Sequence, residues 1–322
     1  MIGSIGDSVD RYLDIYYKLV NRLKWHTQKE ILMVIPLVYI FNNKEFDLEE
    51  LINISKDINK KSSNFSPLES HQRFYIASML ISRYSDPKEK VNELIECQNK
   101  LIDEGFKNSS HLTMSALALI SFNNINDNLD EKVDRAISIY KKIKSNYSML
   151  NSAYSDYLIS ILFSHYEDSI EDLASDIDYY YSLLSQKQFK KGSSLHLLSY
   201  ILMSAKIENK DFIINKCCEL YKYIVDNNIK IKRIHYSQLG LMSIIDTDLT
   251  EDIQFINSAL EILLKEKTFR WHKDMSLVVA ISLVISKVIN CVPYDATIIE
   301  TGTKTPLENI IMAQNATLLG II

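Results

Sequence analysis

Glycine and proline are scarce, at seven and five residues in a chain of 322, and that scarcity argues against the many tight turns of an all-β fold. Cysteine is limited to Cys97, Cys217, Cys218 and Cys291. None of the four forms a CxxC pair and one pair is vicinal, which suits free thiols in a reducing cytoplasm better than a disulfide framework. Long apolar runs are missing as well. The two longest, Ile31 to Phe41 with Pro36 inside it and Met275 to Ser286, fall short of the about 20 residues a membrane helix requires, so no transmembrane span is expected. The N-terminal MIGSIGDSVDR has no basic region ahead of an apolar stretch and does not have the build of a secretory signal. The formal charge is −5, from acids and bases that are interspersed. Composition therefore gives no chain-wide basic character, and any basic surface must be local.

What remains is a chain that is 47% hydrophobic and 24% charged, enough apolar material for a substantial core, with long helices favoured. An apolar residue in a short polar linker recurs at Trp25, Phe65, Phe106, Tyr147, Phe189, Ile229 and Phe269, at intervals of 40, 41, 41, 42, 40 and 40. Two further positions keep the same phase. Twelve residues on stand Leu37, Ala77, Ala118, Ile159, Ile201, Leu241 and Ile281, and sixteen on stand Phe41, Ile81, Phe122, Phe163, Ala205, Ile245 and Ile285. A spacing of four stacks these positions on one helix face, so each linker leads into a second helix, B, with a buried stripe.

Helix-start signals precede each linker at about the distance of one helix A. Asp47 with Glu50, Asp168 with Glu171 and Asp248 with Glu251 are capping pairs, and Asp86-Pro87 with Glu89 adds a proline in the first turn. In the first unit Val9, Tyr12, Leu13, Tyr16, Leu19, Val20 and Leu23 trace one helical face. A single hairpin has too little apolar surface to fold alone, so the expected fold is all-α, an α-solenoid of about seven helical hairpins with a period of 40–42 residues. The hairpins occupy residues 1–292. Residues 293–322 belong to the same domain and read as an irregular stretch from Pro293 to Thr305 followed by a C-terminal capping helix through Ile310, Ile311 and Leu318. The weakest joint is the polar Asn123 to Asp130 segment, which reads as a loop between hairpins.

The strings HQRF at His71 to Phe74, GFK at Gly105 to Lys107, FRWHKDM at Phe269 to Met275 and YDATIIETG at Tyr294 to Gly302 give the chain a resemblance to the bacterial family called domain of unknown function 4003, over nearly its full length. The family is uncharacterised, so the resemblance implies no catalytic residues to carry over. The helix–linker–helix units are loosely similar to tetratricopeptide arrays, whose repeats are shorter, at about 34 residues.

Candidate binding residues gather just after the linkers. They are Arg73 in the second unit, Lys107 in the third, Lys190 and Lys191 in the fifth, Arg233 beside Lys230 and Lys232 in the sixth, and Arg270, Trp271, His272 and Lys273 in the seventh, with Tyr294 and Glu300 from the irregular C-terminal stretch. Stacked hairpins would line the cations along one rim suited to an acidic partner. Trp271 reads as a core residue and Lys273 as a solvated one. His71, His111, His196 and His235 lie near the starts of B helices in four different hairpins. Such residues stand about a helix diameter of 10 Å apart and lack HxxxH or HExxH spacing, so they suit capping or partial burial and no metal is expected. No glycine-rich phosphate loop or nucleophile motif occurs, so no cofactor is expected and an enzyme is not favoured.

The sequence thus points to a non-catalytic cytoplasmic scaffold that engages a peptide or protein segment. One alternative is a helical-repeat protein binding single-stranded RNA along the basic rim. Against it, the position eight after the linker residue holds Met33, Arg73, Met114, Ser155, Leu197, Ser237 and Leu277, with no common polar type. The other alternative is a hydrolase or transferase at the C-terminal hairpin, built on His272, Asp274 and Arg270 with Tyr294 and Glu300 from the irregular C-terminal stretch.

Overall fold

Two kinds of helix alternate along the chain, and their residues explain the difference. The computed structural model describes residues 5–61, 71–121, 129–146, 168–205, 207, 209–245 and 249–291. Over these residues it is all-helical. The helices of the first half are α1 (Ile5–Leu23), α2 (Lys29–Phe41), α3 (Leu48–Lys61), α4 (Arg73–Arg83), α5 (Pro87–Asp103), α6 (Ser110–Ser121) and α7 (Leu129–Asn146). Those of the second half are α8 (Ile170–Ser185), α9 (Ser193–Ser204), α10 (Lys210–Asp226), α11 (Tyr236–Ile244), α12 (Leu249–Leu263), the short α13 (Lys267–Trp271) and α14 (Lys273–Cys291), with a 3₁₀ turn at Arg233–His235.

The A helices are amphipathic. In α5 the buried residues are Pro87, Val91, Leu94, Cys97, Gln98 and Leu101, at the spacing of one face, and α10 buries Ile213, Ile214, Cys217, Leu220 and Ile224 in the same way. In α1 the buried face is Val9, Tyr12, Ile15, Tyr16, Leu19 and Leu23. The B helices are apolar all round and buried all round, as expected of helices enclosed on every side. Every residue from Ile31 to Ile40 in α2, from Phe74 to Ile81 in α4 and from Tyr236 to Ile244 in α11 is buried. The sequence phase predicts only a stripe. Burial of the whole cylinder follows from the neighbours, since α4 packs on α2, α3 and α5, and α9 on α8, α10 and α11. Three serines inside these helices return their hydroxyls to the preceding turn, Ser78 to the Tyr75 carbonyl (2.6 Å), Ser199 to Leu195 (2.9 Å) and Ser243 to Leu239 (2.6 Å), so their burial strands none of these three donors, whereas the buried Ser115 hydroxyl of α6 has no partner among the described residues.

The recurring linker residue has a local cause. At the end of α5, Gly105 takes φ +95° and the Phe106 N–H donates to the Leu101 carbonyl at 3.0 Å. At the end of α10, Asn228 (φ +63°) and the Ile229 N–H to the Ile224 carbonyl (3.2 Å) repeat the arrangement. This six-to-one closure turns the next apolar residue back against the helix, and Phe106 and Ile229 are buried, as are Phe189 and Phe269. Trp25 is the exception at 85% exposure. Phe65 and Tyr147 lie outside the described residues. The two phased positions are buried wherever described, save for the half-buried Phe41 at the end of α2.

Caps follow the sequence at two sites and shift at a third. The Asp47 carboxylate accepts the Glu49 and Glu50 N–H groups (2.8 and 3.1 Å), and Asp86 accepts those of Lys88 and Glu89 (3.1 and 3.0 Å). At α8 the cap is Ser169 rather than Asp168. Its extended backbone carries the hydroxyl oxygen to the Asp172 N–H at 3.1 Å. Asp248 lies outside the described residues, as does most of the Asn123 to Asp130 joint, although Asp130 is already within α7. The expected stretch from Pro293 and its capping helix also fall outside them.

The chain divides into two compact units, one containing residues up to 120 together with 255–291, the other containing 121–254. In the first unit α2 is flanked by α1, α4 and α14. The first and seventh hairpins therefore meet, a contact that a linear stack in which each repeat touches only its sequence neighbours does not make. Phe269 is the wedge. Its ring is edge-on to Tyr16 at 5.0 Å and to Tyr12 at 6.0 Å, and the Tyr12 hydroxyl donates to the Met33 carbonyl at 2.7 Å. In the second unit α9 and α11 approach closely because α11 carries Gly240 at the contact. A Cβ there would stand 2.8 Å from Leu198 Cδ1 and 2.9 Å from Ile201 Cγ2.

Candidate functional site

The linker between α8 and α9 reads SQKQFKKG and the one between α10 and α11 reads DNNIKIKRIH. Phe189 is held down by edge-on contacts to Tyr221 (5.3 Å) and Tyr236 (5.1 Å), so its polar neighbours are turned outward. The Lys190 N–H donates to the Tyr236 hydroxyl at 3.0 Å, which ties the first linker to the start of α11, and the Gln188 side chain donates to the Cys218 carbonyl at 3.0 Å. Lys187, Lys190, Lys191, Lys230, Lys232 and Arg233 are all exposed on these neighbouring linkers, against one exposed carboxylate, Asp226. This is a local cationic surface on a chain of net charge −5. Lys107 is likewise exposed on its own linker in the first unit.

The other predicted residues behave differently from one another. Arg73 is half-buried, with its guanidinium 4.7 Å from the Phe74 ring, and burial lowers its pKa. It is thus a packed cation more than a rim cation. Arg270 and Lys273 are exposed. Trp271, expected in the core, is 80% exposed. Phe269 takes the buried slot, and two residues on in a helix the ring is carried to a different side. His272 is half-buried, with Nδ1 3.3 Å from Glu30 Oε1 in the first turn of α2. Glu30 carried no local sequence signal, because its partner is 242 residues away and only the meeting of the two hairpins brings them together. Trp25 is in phase with the other linker residues, and the phase carries no signal that its ring is exposed. Tyr294 and Glu300 lie outside the described residues.

The histidines do not form one set. His71 is exposed, with Nδ1 2.9 Å from the His26 carbonyl. His235 is buried and its Nδ1 accepts the Lys232 N–H at 3.0 Å, a capping role. His196 is buried against the edges of the Tyr181 (4.6 Å) and Tyr200 (5.9 Å) rings, and burial pushes its pKa down to about 4. Such a ring is a neutral core group near neutral pH. Cys97, Cys217 and Cys218 are free thiols. Among the described residues no three His, Cys, Asp or Glu side chains gather as a metal-binding group, and no helix is long and apolar enough to cross a membrane.

Paired amphipathic and fully buried helices, with exposed basic linkers, define an all-α protein whose accessible chemistry lies at its interhelical turns. The chain belongs to the family described as protein of unknown function (DUF4003), whose model matches residues 15–316. It is similar to the uncharacterized protein YeaA of Bacillus subtilis (strain 168), at 28% identity over 314 residues, covering 97% of this chain and 93% of that relative. No solved structure matches.

Proposed function

We propose that the protein is a non-catalytic cytoplasmic scaffold that holds an acidic peptide or protein segment along its linker rim. The observation that supports this is the pair of neighbouring linkers in the second unit, with six exposed cations against one carboxylate on a chain that is acidic as a whole. Charge of one sign concentrated on a rigid edge steers an oppositely charged partner and fixes its register. The Lys190 N–H to Tyr236 bond and the Gln188 side-chain bond to the Cys218 carbonyl fasten the linker to its neighbours, which lowers the ordering cost of binding. The seven-fold sequence phase supports extending the described helix pairs to an array of seven hairpins of the α-solenoid kind, closed by a capping helix near the C-terminus.

The test is fluorescence anisotropy with a labelled peptide of alternating glutamate and leucine, compared with labelled oligouridylate, over a salt series. The scaffold reading predicts salt-sensitive peptide binding that is lost in the Lys190→Glu/Lys191→Glu/Arg233→Glu variant while helicity is retained. Absence of peptide binding at low salt, or retention of it in the triple variant, contradicts the reading. Preferential binding of oligouridylate points instead to single-stranded RNA.

A further inference from the structure

The first and seventh linkers differ from the others in exposing an indole each. Trp25 and Trp271 are the chain's two tryptophans, and at 85% and 80% they are its most exposed large apolar side chains among the described residues. The linkers that carry them are brought together in the first unit. Phe269, two residues before Trp271, is wedged against Tyr12 and Tyr16 of α1, and His272, next to Trp271, reaches Glu30 at the start of α2, just beyond Trp25. Where other described hairpins bury the linker residue, as at Phe106, Phe189 and Ile229, the first exposes Trp25. Two positions further on, where Asn108 and Lys191 are solvated and Thr27 and Ile231 are buried, the seventh exposes Trp271.

The surroundings of both indoles are cationic. Lys24, Lys29, Lys267, Arg270 and Lys273 are exposed beside them. Three carboxylates are nearby, Glu30 paired with His272, Glu266 accepting from the Tyr17 hydroxyl and the half-buried Asp274, against the five exposed cations. Exposed tryptophan flanked by lysine and arginine is the composition of a bilayer interface, where the indole sits at headgroup level and the cations face anionic lipid.

We propose that this region docks on the surface of an anionic lipid bilayer, with Trp25 and Trp271 seated at the headgroup boundary and Lys24, Arg270 and Lys273 against the lipid phosphates. Three alternatives fit less well. A protein partner anchored by tryptophan must supply a packed pocket for each of the two rings, whereas a bilayer buries both without shaped pockets. A second copy of the chain meeting the same region would set its cations against like charges. Base stacking on Trp25 competes with the Lys24 ammonium over one face of its ring, 5.5 Å from the centroid. The proposal does not depend on the acidic-partner reading, since it uses another surface and another class of ligand.

The experiment is co-sedimentation of the full chain with vesicles of phosphatidylglycerol and phosphatidylcholine and with vesicles of phosphatidylcholine alone, with tryptophan emission recorded in parallel. The expected result is sedimentation with the anionic vesicles only and a blue shift of emission. Trp25→Ala/Trp271→Ala abolishes the sedimentation with the circular dichroism unchanged, as expected for side chains this exposed. Arg270→Gln and Lys273→Gln each weaken partitioning by about fivefold, the equivalent of about 1 kcal/mol per basic residue near an anionic surface. Lys24→Glu/Lys273→Glu, which keeps both rings, also weakens it. Absence of co-sedimentation at low salt overturns the proposal, as does undiminished binding by the double alanine variant. An emission shift caused by oligouridylate or an acidic peptide but not by vesicles overturns it in favour of that other partner.

Discussion

Gly240→Ala is a substitution for which two physical effects oppose each other, and the packing of α9 on α11 decides between them. In an exposed helix interior, alanine is favoured over glycine by about 1 kcal/mol. At Gly240 the added Cβ would lie 2.8 Å from Leu198 Cδ1, 2.9 Å from Ile201 Cγ2 and 3.3 Å from Ile201 Cβ. The leucine methyl can swing aside. Ile201 cannot, because a β-branched side chain in a helix holds one χ1 rotamer, so the helices must separate. Overpacking of this kind costs up to about 3 kcal/mol, and subtracting the propensity gain leaves a net loss of about 2 kcal/mol. In urea titration with a slope of about 3 kcal/mol/M, the midpoint falls by about 0.7 M. Ile201→Ala opens space where the new methyl goes, so the double variant should be less destabilised than the sum of the two singles, by about 1 kcal/mol or more. A raised midpoint for Gly240→Ala, with strict additivity in the double variant, would refute the close approach of α9 and α11.

Two further outcomes follow from burial. His196 titrates near 4 in the folded chain against 6.5 for an ordinary histidine. Above pH 6.5 it is neutral in both states and has no effect, between 6.5 and 4 the unfolded chain alone takes up the proton, and below 4 the loss levels off. It therefore removes about 2 kcal/mol of stability between pH 7 and pH 5, and His196→Gln should flatten that part of the profile. An unchanged pH dependence in the variant would show that His196 is not held neutral. Burial pushes the Cys97 and Cys217 thiols up to about 12, whereas Cys218 is half-exposed. A thiol reagent followed by peptide mapping should modify Cys218 first of the three in the native protein, and equal rates for all three would contradict the burial.

The helices were legible in the sequence because their signals are local. The phase of Ile201 with Ala205 or of Leu241 with Ile245, and the cap at Asp86, each need only a few residues of context, and the structure agrees with them. The linker residue was read correctly as recurring without its cause, since a six-to-one turn at Gly105 or Asn228 depends on a positive φ that residue type only permits. Where non-neighbouring segments meet, the sequence was silent. Glu30 and His272 are far apart in the chain, and Trp271 was read as core because nothing local showed that Phe269 would take the slot between Tyr12 and Tyr16. Trp25 keeps the phase of the linker residues but is exposed, because phase sets a residue's place in the repeat and not how its ring packs.

The joining of the first and seventh hairpins brings the Trp25 and Trp271 linkers together, and a double-mutant cycle tests it most directly. Tyr16→Leu, Phe269→Leu and the pair are compared by urea denaturation. Ring centroids 5.0 Å apart and edge-on predict a coupling of about 1 kcal/mol. Additivity of the two substitutions to within about 0.3 kcal/mol would mean that the two hairpins do not touch.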